Sequence, residues 1–293
     1  MDTDQVEQAK AILAQDTQTV PTFWSQKYRK EAARHWDLFY KRNTTNFFKD
    51  RHWIDREFSE LSTPCTDDNG APRRKLVLEV GCGVGNFVFP TMREHPHHRF
   101  FACDFSPRAV EFVRAHPEYD NERCHAFVCD LTRDPLVELI PRDEETRHGV
   151  DVVSMIFVLS AIPPEKMADA LANVAAVVRP GGVVLFRDYG LYDMAQLRFK
   201  PGHKLEENLY VRQDGTMAYY FTVEHVQRLF DEAGFDVLPQ EEKEAKEDEE
   251  AATSTSSSSS LTYITRTNVN RYRAMSMHRI FVQGRFRRRS KAC

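Results

Sequence analysis

The chain has 293 residues, of which 41% are hydrophobic, and its formal net charge at pH 7 is −4. This length suits one α/β domain with an extension, and the hydrophobic content excludes a chain that is disordered throughout. The sequence has no apolar run of about 18 residues and no basic start followed by an apolar stretch, which predicts a soluble intracellular protein without a membrane span or signal peptide.

Residues 1–70 are predicted to form a helical, basic extension. Residues 26–39 have the pattern of a helix, and Trp36 and Tyr40 are four residues apart, so they share one face. The next stretch, residues 40–53, reads YKRNTTNFFKDRHW. Interleaved aromatic and basic residues suit a nucleic-acid surface, because bases stack on rings while cations contact phosphates.

The alternative for this stretch is that its side chains pack on the main domain. We favour packing for Phe48 and Trp53, whose rings are large and apolar, and nucleic-acid contact for Lys49 and Arg51.

A glycine turn follows the first apolar run, in the sequence LVLEVGCGVGN at residues 76–86. Its glycines follow the pattern G-x-G-x-G, whereas a dinucleotide fingerprint has G-x-G-x-x-G, so the spacing favours S-adenosylmethionine as cofactor. Asp104 comes nineteen residues after Gly85, at the end of the next apolar run. A carboxylate there can accept hydrogen bonds from both ribose hydroxyls. Asp104 could also cap the next helix, although Ser106 is equally suited to that role.

Two further apolar runs end in candidate cofactor contacts. Asp130 and Leu131 follow the third run, where the carboxylate can accept from an adenine amino group with Leu131 beside the ring, and Ile156 ends the fourth. Ligands in open α/β sheets bind at the carboxyl ends of the strands. These residues are therefore expected to converge with Gly81 and Asp104 on one site.

The alternation of apolar runs and helical stretches predicts a Rossmann-like, doubly wound α/β domain over residues 71–293. Seven strands are predicted, at residues 76–80, 99–103, 125–129, 150–157, 182–187, 235–238 and 278–283. The clearest helices are predicted at residues 107–115, 164–178 and 223–233.

The stretch after the fourth apolar run indicates which kind of atom can accept the methyl group. Residues 156–165 read IFVLSAIPPE, which lacks the Asn/Asp-Pro-Pro-aromatic order often found in enzymes that methylate exocyclic amines. No cysteine lies between residues 151 and 164 to serve as the thiolate that carbon methylation of a pyrimidine needs. A ring nitrogen needs neither device, because a well-aligned lone pair attacks the methyl group directly. Attack by a cytosine ring nitrogen gives a cation, which a nearby carboxylate would stabilise.

The fifth apolar run ends in Arg187, Asp188 and Tyr189, on the same predicted edge of the sheet. Asp188 is expected to contact the base electrostatically or by a hydrogen bond, and Tyr189 to offer an aromatic surface. The alternative is a buried structural ion pair between Arg187 and Asp188. Three cations in the following stretch are candidates for contact with a substrate chain, or else belong to a solvated loop: Arg198, Lys200 and Arg212.

The remaining features concern charge and low complexity. Residues 241–260 begin with seven acids and two lysines and continue into serines, which predicts a disordered insertion between the last two strands. From residue 265 onward there are nine arginines and lysines and no acid, which suits either a polyanion or a solvated terminus. The string HPHH at residues 95–98 has no partner motif, so we predict a solvated turn and no metal site.

Several strings together resemble the eukaryotic tRNA 3-methylcytidine methyltransferases, which modify a cytidine of the anticodon loop. The resemblance runs from about residue 31 to residue 286, and its most specific string is NFFKDRHW at residues 46–53. The other strings are WDLFYK (36–41), EVGCGVGN (79–86), CDFS (103–106), IFVLSA (156–161), RDYGLYD (187–193) and YVRQDGT (210–216).

The resemblance implies a class I S-adenosylmethionine-dependent methyltransferase with an antiparallel pair of strands at its C-terminal edge. It implies that 3-methylcytidine is formed at position thirty-two of the tRNA, in the anticodon arm. It also implies that Trp36 and Tyr40 close over the cofactor, and that Phe47, Lys49 and Arg51 approach the target nucleotide. Replacement of Arg51 by alanine is accordingly expected to reduce tRNA methylation and to spare cofactor affinity.

Two branches of the family fit different strings. RNTTN (42–46) and SPRA (106–109) resemble the branch for serine tRNAs, which works with seryl-tRNA synthetase, whereas YDMAQLRF (192–199) resembles the branch for threonine and arginine tRNAs. The choice of tRNA is therefore open, and a location in the cytoplasm or the nucleus is expected. The competing hypotheses are methylation of a protein or small molecule, and an RNA-binding module without activity. The basic C-terminal tail and the aromatic-basic segment argue against the first, and the combination of Gly81, Asp104 and Asp130 argues against the second.

Overall fold

A computed structural model of the chain describes residues 3–67, 70–239, 261–270 and 275–290. Its helices are α1 (Thr3–Gln15), α2 (Thr22–Lys30), α3 (Ala32–Asn43), α4 (Ile54–Glu57), α5 (Val88–Glu94), α6 (Pro107–Arg114), α7 (Leu136–Leu139), α8 (Pro164–Val177), α9 (Met194–Leu197) and α10 (Val223–Glu232). Its strands are β1 (Leu76–Val80), β2 (Arg99–Asp104), β3 (Cys124–Val128), β4 (Val150–Ile156), β5 (Val178–Tyr189), β6 (Lys204–Glu206), β7 (Leu209–Val211), β8 (Met217–Tyr219), β9 (Phe235–Val237), β10 (Thr262–Asn270) and β11 (Met275–Arg288). Each helix within the described ranges is too short or too polar to cross a bilayer.

The main sheet has the strand order β10-β11-β5-β4-β1-β2-β3, and β9 also pairs with β11. Strands β1 to β5 are parallel, and β11 is antiparallel to β5, β9 and β10. The predicted parallel sheet with an antiparallel C-terminal edge is confirmed. The described residues form eight strands in this sheet instead of seven, because the polar run TYITRTNVN pairs with β11 as the edge strand β10. Edge strands need little apolar content, so the hydrophobic pattern did not reveal it.

The central strand β1 carries the glycine turn at its carboxyl end. All five of its residues are buried, with Leu76, Leu78 and Val80 in one apolar cluster and Val77 in the cluster on the opposite face. β1 lies between β2 and β4, so the order of the strands reverses beside it. Crevices at such a reversal are the usual ligand sites of α/β sheets.

A second sheet, β6-β7-β8, was not predicted from the sequence. Two isolated backbone bridges connect this region to the rest of the chain. Thr19 pairs with Lys204 in β6, and Gly190, after β5, pairs with Phe221, after β8. Arg198 and Lys200 are exposed in the connection that precedes this sheet, as the loop alternative anticipated. The strands were missed because each has only three residues, which is too short for a period to be recognised.

The predicted helix at residues 26–39 is divided into α2 and α3. Glu31 interrupts it with φ −99° and ψ 16°. The two parts have different supports: Arg29 of α2 pairs with Glu165 and Glu206, whereas α3 buries Phe39 in an apolar cluster.

The prediction of a solvated turn at residues 95–98 is wrong for two of its histidines. The rings of His95 and His98 stack with their centroids 4.7 Å apart. His95 Nε2 lies 2.8 Å from a carboxylate oxygen of Asp55, and His98 Nε2 lies 2.9 Å from the carbonyl oxygen of Leu61. The turn is partly buried because residues 54–61 pack over it.

Within its described residues, the basic C-terminal stretch is neither a solvated terminus nor a continuous basic surface. Four of its arginines pair with acids from distant parts of the chain: Arg266 with Glu57, Arg279 with Asp193, Arg285 with Glu60, and Arg289 with Asp231 and Asp236. The described part of the stretch folds largely into β10 and β11, which brings these acids beside it. Arg271, Arg273, Lys291 and the low-complexity residues 241–260 lie outside the described residues.

Candidate functional site

A cavity of about 300 Å³ lies at the carboxyl ends of the parallel strands, at the low end of the range for small-molecule sites. Six of the seven residues predicted to contact the cofactor line it: Trp36, Tyr40, Gly81, Asp104, Asp130 and Leu131. The extension contributes Arg29, Lys30 and Ala33 to the same wall. The cavity is thus formed between the main sheet and the helices α2 and α3.

The glycine turn fits closely against the cavity walls. Gly81 and Gly83 have φ values of 63° and 54°, in the left-handed region that favours glycine. A Cβ atom on Gly81 would lie 2.6 Å from Cγ2 of Val158, and one on Gly83 would lie 2.9 Å from the hydroxyl oxygen of Tyr40. The glycines therefore let Tyr40 and Val158 approach the turn, which brings both side chains to the cavity.

Asp104 connects the glycine turn to the next helix. One carboxylate oxygen accepts a hydrogen bond of 2.9 Å from the backbone N–H of Gly83, and the other accepts one of 2.9 Å from that of Ser106. Burial raises the pKa of Asp104 to about 6. Each oxygen keeps a second acceptor site, so the carboxylate can hold the turn and bind a ribose at once.

Ser106 is the N-cap of α6, since its Oγ accepts a hydrogen bond from the backbone N–H of Ala109. The same hydroxyl donates to Asp37 of α3 over 2.8 Å. This bond attaches the helix that carries Trp36 and Tyr40 to the main domain.

Trp36 presents an unsatisfied donor. Its indole Nε1 is buried and has no hydrogen-bond partner within the described residues. Buried polar groups are usually paired, so an orphaned donor on a cavity wall indicates a ligand acceptor. Together with the Asp104 carboxylate and the close-fitting turn, this fits S-adenosylmethionine, whose carboxylate accepts and whose ribose hydroxyls donate.

Asp130 is held mainly by its own turn. Its carboxylate accepts hydrogen bonds from the backbone N–H and the hydroxyl of Thr132, and it pairs with Arg133 at 2.8 Å. Ile156, the seventh predicted contact, is buried away from the cavity. Its place on the wall is taken by Phe157 and Val158, which follow directly after β4.

Arg51 lies inside the protein, beneath the glycine turn. Its side chain is 16% exposed, and its guanidinium donates to the carbonyl oxygen of Ile156 over 3.2 Å and lies 4.0 Å from a carboxylate oxygen of Glu79. Its Cζ atom lies 5.7 Å from the centroid of the Phe157 ring. Phe47 and Lys49, expected to act with Arg51 on the target nucleotide, are instead exposed at the surface. The structure therefore separates the three residues.

Glu79 was not among the predicted site residues. A charged residue within the apolar strand β1 could have indicated it. It is 2% exposed, and its Oε2 has no hydrogen-bond partner among the described residues. Burial raises its pKa to about 8, and the positive charge of Arg51 opposes this rise.

Replacement of Glu79 by glutamine is expected to flatten the dependence of stability on pH between about pH 6 and 8. The pKa of Glu79 is about 8 in the folded state against an ordinary value of 4.5, so only the folded state keeps the proton in this window. The free energy of unfolding of the original protein should therefore fall as pH rises. Asp104 and Asp188 have pKa values raised to about 6, so their effect on stability changes mainly below pH 6. Urea unfolding at pH 6, 7 and 8 measures the slope, and an identical slope for Glu79→Gln would contradict the assignment.

The end of β5 does not contain the alternative ion pair between Arg187 and Asp188. Adjacent residues of a strand point to opposite faces. Arg187 pairs instead with Glu57. Its Cζ atom lies 3.8 Å from the centroid of the Trp53 ring, which confirms that Trp53 packs on the main domain. Asp188 is fully buried and accepts hydrogen bonds from the backbone N–H groups of Ser160 and Tyr189.

A group of aromatic rings and arginines packs beside Phe157, which lines the cofactor cavity. This bulky residue has a φ of 60°, a strained conformation of the kind found at functional sites. Its ring centroid lies 5.0 Å from that of Tyr189 and 5.4 Å from that of Phe281. The guanidinium groups of Arg212 and Arg279 lie 5.6 and 5.5 Å from the centroid of the Tyr189 ring. We call these five residues the aromatic-arginine cleft.

Arg279 was counted only as part of the basic tail in the sequence analysis. Its Nε lies 2.9 Å from the carboxylate of Asp193, which is fully buried and also accepts hydrogen bonds from the backbone N–H groups of Ala195 and Ile280. These contacts fix the guanidinium beside the Tyr189 ring. The two residues are 86 positions apart, so no local sequence pattern indicates that they pair.

Comparisons with known proteins agree with this geometry. A family model described as a methyltransferase domain matches residues 78–184. The tRNA N(3)-cytidine methyltransferase METTL6 of Rattus norvegicus is 48% identical, over 95% of this chain and 87% of its own length. The tRNA N(3)-methylcytidine methyltransferase Mettl2 of Drosophila melanogaster is 40% identical, over 98% and 81% respectively.

Among solved structures, a SAM-dependent methyltransferase from Anabaena variabilis ATCC 29413 shares the fold, with a TM-score of 0.57 at 12% identity over 88% of this chain and 95% of that one. The fold is therefore that of the class I S-adenosylmethionine-dependent methyltransferases. Given the identity to the rat and fly enzymes over nearly the whole chain, the protein belongs to the family of tRNA N(3)-cytidine methyltransferases.

Proposed function

We propose that the protein transfers the methyl group of S-adenosylmethionine to the N3 atom of a cytidine in the anticodon loop of tRNA. The observation that carries this proposal is the shared wall between the cofactor cavity and the aromatic-arginine cleft. Phe157 lines the cavity and also contacts Tyr189 and Phe281 in the cleft. A base bound among these rings would lie next to the bound cofactor.

The chemistry of the cleft matches a nucleotide. Aromatic rings stack on any base, and arginine contacts both ring faces and phosphates. Arg212 is fixed by hydrogen bonds to the carbonyl oxygen of Met217 at 3.1 Å and to the hydroxyl of Thr216 at 3.3 Å. Arg279 is fixed by Asp193. Both cations are therefore oriented before a substrate binds, which lowers the cost of ordering them.

When bound, S-adenosylmethionine supplies an electrophilic methyl group. The residues of the chain need only align the N3 lone pair with it, and orientation of this kind can supply most of the catalysis. Asp188 lies behind Tyr189, where its hydrogen bonds hold the backbone of Ser160 and Tyr189 in place. In this arrangement Asp188 is a positioning residue, and its negative charge favours the cationic product.

We also propose serine tRNAs as the substrates and seryl-tRNA synthetase as a partner. Support comes from the strings RNTTN and SPRA, which resemble those of the serine branch. The N-terminal extension is proposed to contact the tRNA, with Phe47 and Lys49 on its exposed surface, and Arg198 and Lys200 are proposed to contact the same substrate. The location in the cytoplasm or the nucleus stays a prediction.

Mass spectrometry of nucleosides tests the proposal directly. Purified serine, threonine and arginine tRNAs are incubated with the protein and S-adenosylmethionine, with and without seryl-tRNA synthetase. The expected product is 3-methylcytidine in serine tRNA, in larger amount when the synthetase is present. Methylation of another nucleoside, or of protein alone, would overturn the function. Product in threonine or arginine tRNA alone would overturn the choice of substrate and keep the reaction.

A further inference from the structure

Helix α2 exposes two large aromatic side chains at its N-terminal end. Phe23 is 69% exposed and Trp24 is 47% exposed. Their rings meet edge to face with centroids 5.4 Å apart, and Nζ of Lys27 lies 5.0 Å from the centroid of the Trp24 ring. We call Phe23, Trp24 and Lys27 the α2 platform.

The helix is held in place from its other side. Arg29 is largely covered and pairs with Glu165 at the start of α8, at 2.5 Å, and with Glu206 in β6, at 2.9 Å. Tyr28 packs against the main apolar cluster. Because these contacts fix α2, the platform is preorganised, and a partner that stacks on it pays little for ordering the rings.

The platform is close to the catalytic cavity. Arg29 and Lys30 line the cavity from the C-terminal end of α2. Phe23 precedes Arg29 by six residues, which corresponds to about 9 Å along the helix axis. When one base of a nucleic acid occupies the aromatic-arginine cleft, a neighbouring nucleotide can therefore reach α2.

The charge of α2 selects among partners. Its nine residues contain Lys27, Arg29 and Lys30 and no acid. Exposed rings beside cations suit an unpaired nucleotide, because the base stacks while the cation contacts the phosphate. An acidic protein surface would satisfy the charges but brings no base to stack on the exposed Trp24 ring.

We propose that the α2 platform binds an unpaired base of the tRNA, other than the cytidine that is methylated, by stacking on Trp24. This inference rests on the proposed function, because it takes tRNA as the substrate. It assigns to α2 the task of holding the loop while the target base occupies the cleft.

The test compares Trp24→Ala with Trp24→Phe and with Ile12→Ala, a control on α1 whose side chain is 46% exposed. Trp24→Ala should raise the Kd for tRNA by about 5-fold or more, the lower end expected for loss of one stacked base. Trp24→Phe should recover most of the affinity, and Ile12→Ala should change nothing. The Kd for S-adenosylmethionine should stay within about 2-fold for all three, and the rate of methylation should stay within about 2-fold for Ile12→Ala.

Two results would overturn the platform. One is an unchanged tRNA Kd for Trp24→Ala. The other is a loss of affinity only for a partner protein, measured with seryl-tRNA synthetase, which would make α2 a protein-binding surface. Product formation by the unsubstituted protein is measured separately by nucleoside mass spectrometry. Failure there refutes the proposed function, whereas the Kd comparison refutes or supports the platform.

Discussion

Replacement of Asp104 by alanine is expected to weaken S-adenosylmethionine binding by about 100-fold or more. The carboxylate accepts hydrogen bonds from two backbone N–H groups, those of Gly83 and Ser106. A hydrogen bond to a charged group contributes about 1.5–3 kcal/mol, and the variant leaves both buried donors unsatisfied. The turn then loses its link to α6, and the ribose loses its acceptor. Isothermal titration with S-adenosylmethionine measures the effect.

Asp130→Ala is the matched comparison. Asp104 ends β2, Asp130 lies just after β3, and both line the cavity, but Asp130 is held by Thr132 and Arg133 of its own turn. Its loss should leave the glycine turn in place and cost about 10-fold, the value of one hydrogen bond of about 1.4 kcal/mol. Equal effects of the two substitutions would contradict the role given to Asp104 in connecting the turn to α6.

The binding of cofactor should also weaken as the solution becomes acidic. Burial raises the pKa of Asp104 to about 6, so the carboxylate becomes protonated below that pH and loses acceptor capacity. Affinity in the unsubstituted protein should be constant above about pH 7 and fall below pH 6. The bound cofactor favours the charged form, so the pKa of Asp104 in the complex is lower, and the affinity continues to fall until the pH reaches that lower value. A profile without any fall down to pH 4 would show that Asp104 is not a cofactor acceptor.

The positions of the cofactor residues could be predicted because strand ends are a local property of the sequence. Once Leu76–Val80 is recognised as a parallel strand, Gly81 must lie at its carboxyl end, and the same holds for Asp104 after the next strand. Parallel strands bring these ends together without any knowledge of the long-range contacts. This is why Gly81 and Leu131, which are 50 positions apart and both line the cavity, could be assigned to one site from the sequence.

The cleft could not be predicted in the same way, because its members meet only through the tertiary fold. Arg279 comes from β11 and Asp193 from the turn before α9, and the antiparallel pairing of β11 with β5 brings them together. A count of charges along the chain treated Arg279 as part of a basic tail. Charge segregated in the sequence is thus not segregated in space, since Asp193 neutralises part of that tail.

Arg51 shows the same limit, and it carries the last prediction. The sequence resemblance implied that Arg51→Ala would reduce tRNA methylation and spare the cofactor. In the structure its guanidinium lies between Glu79 and the carbonyl oxygen of Ile156, beneath the glycine turn. We therefore expect Arg51→Ala to lower both tRNA methylation and cofactor affinity, and to destabilise the fold by about 3 kcal/mol at pH 9, above the pKa of about 8 of Glu79, where the substitution breaks a buried ion pair.

A double substitution separates the structural effect from the catalytic one. At pH 9, the variant Arg51→Ala/Glu79→Gln leaves no buried carboxylate without its cation, so the free energy of unfolding should recover much of the loss. Cofactor affinity should recover with it, because both depend on the same turn. Methylation of tRNA should stay low, because the cation beside the Phe157 ring is still missing. Thermal unfolding, cofactor titration and nucleoside mass spectrometry measure the three quantities. If Arg51→Ala alone keeps full stability and cofactor affinity but loses methylation, Arg51 serves only the substrate, as the sequence had implied.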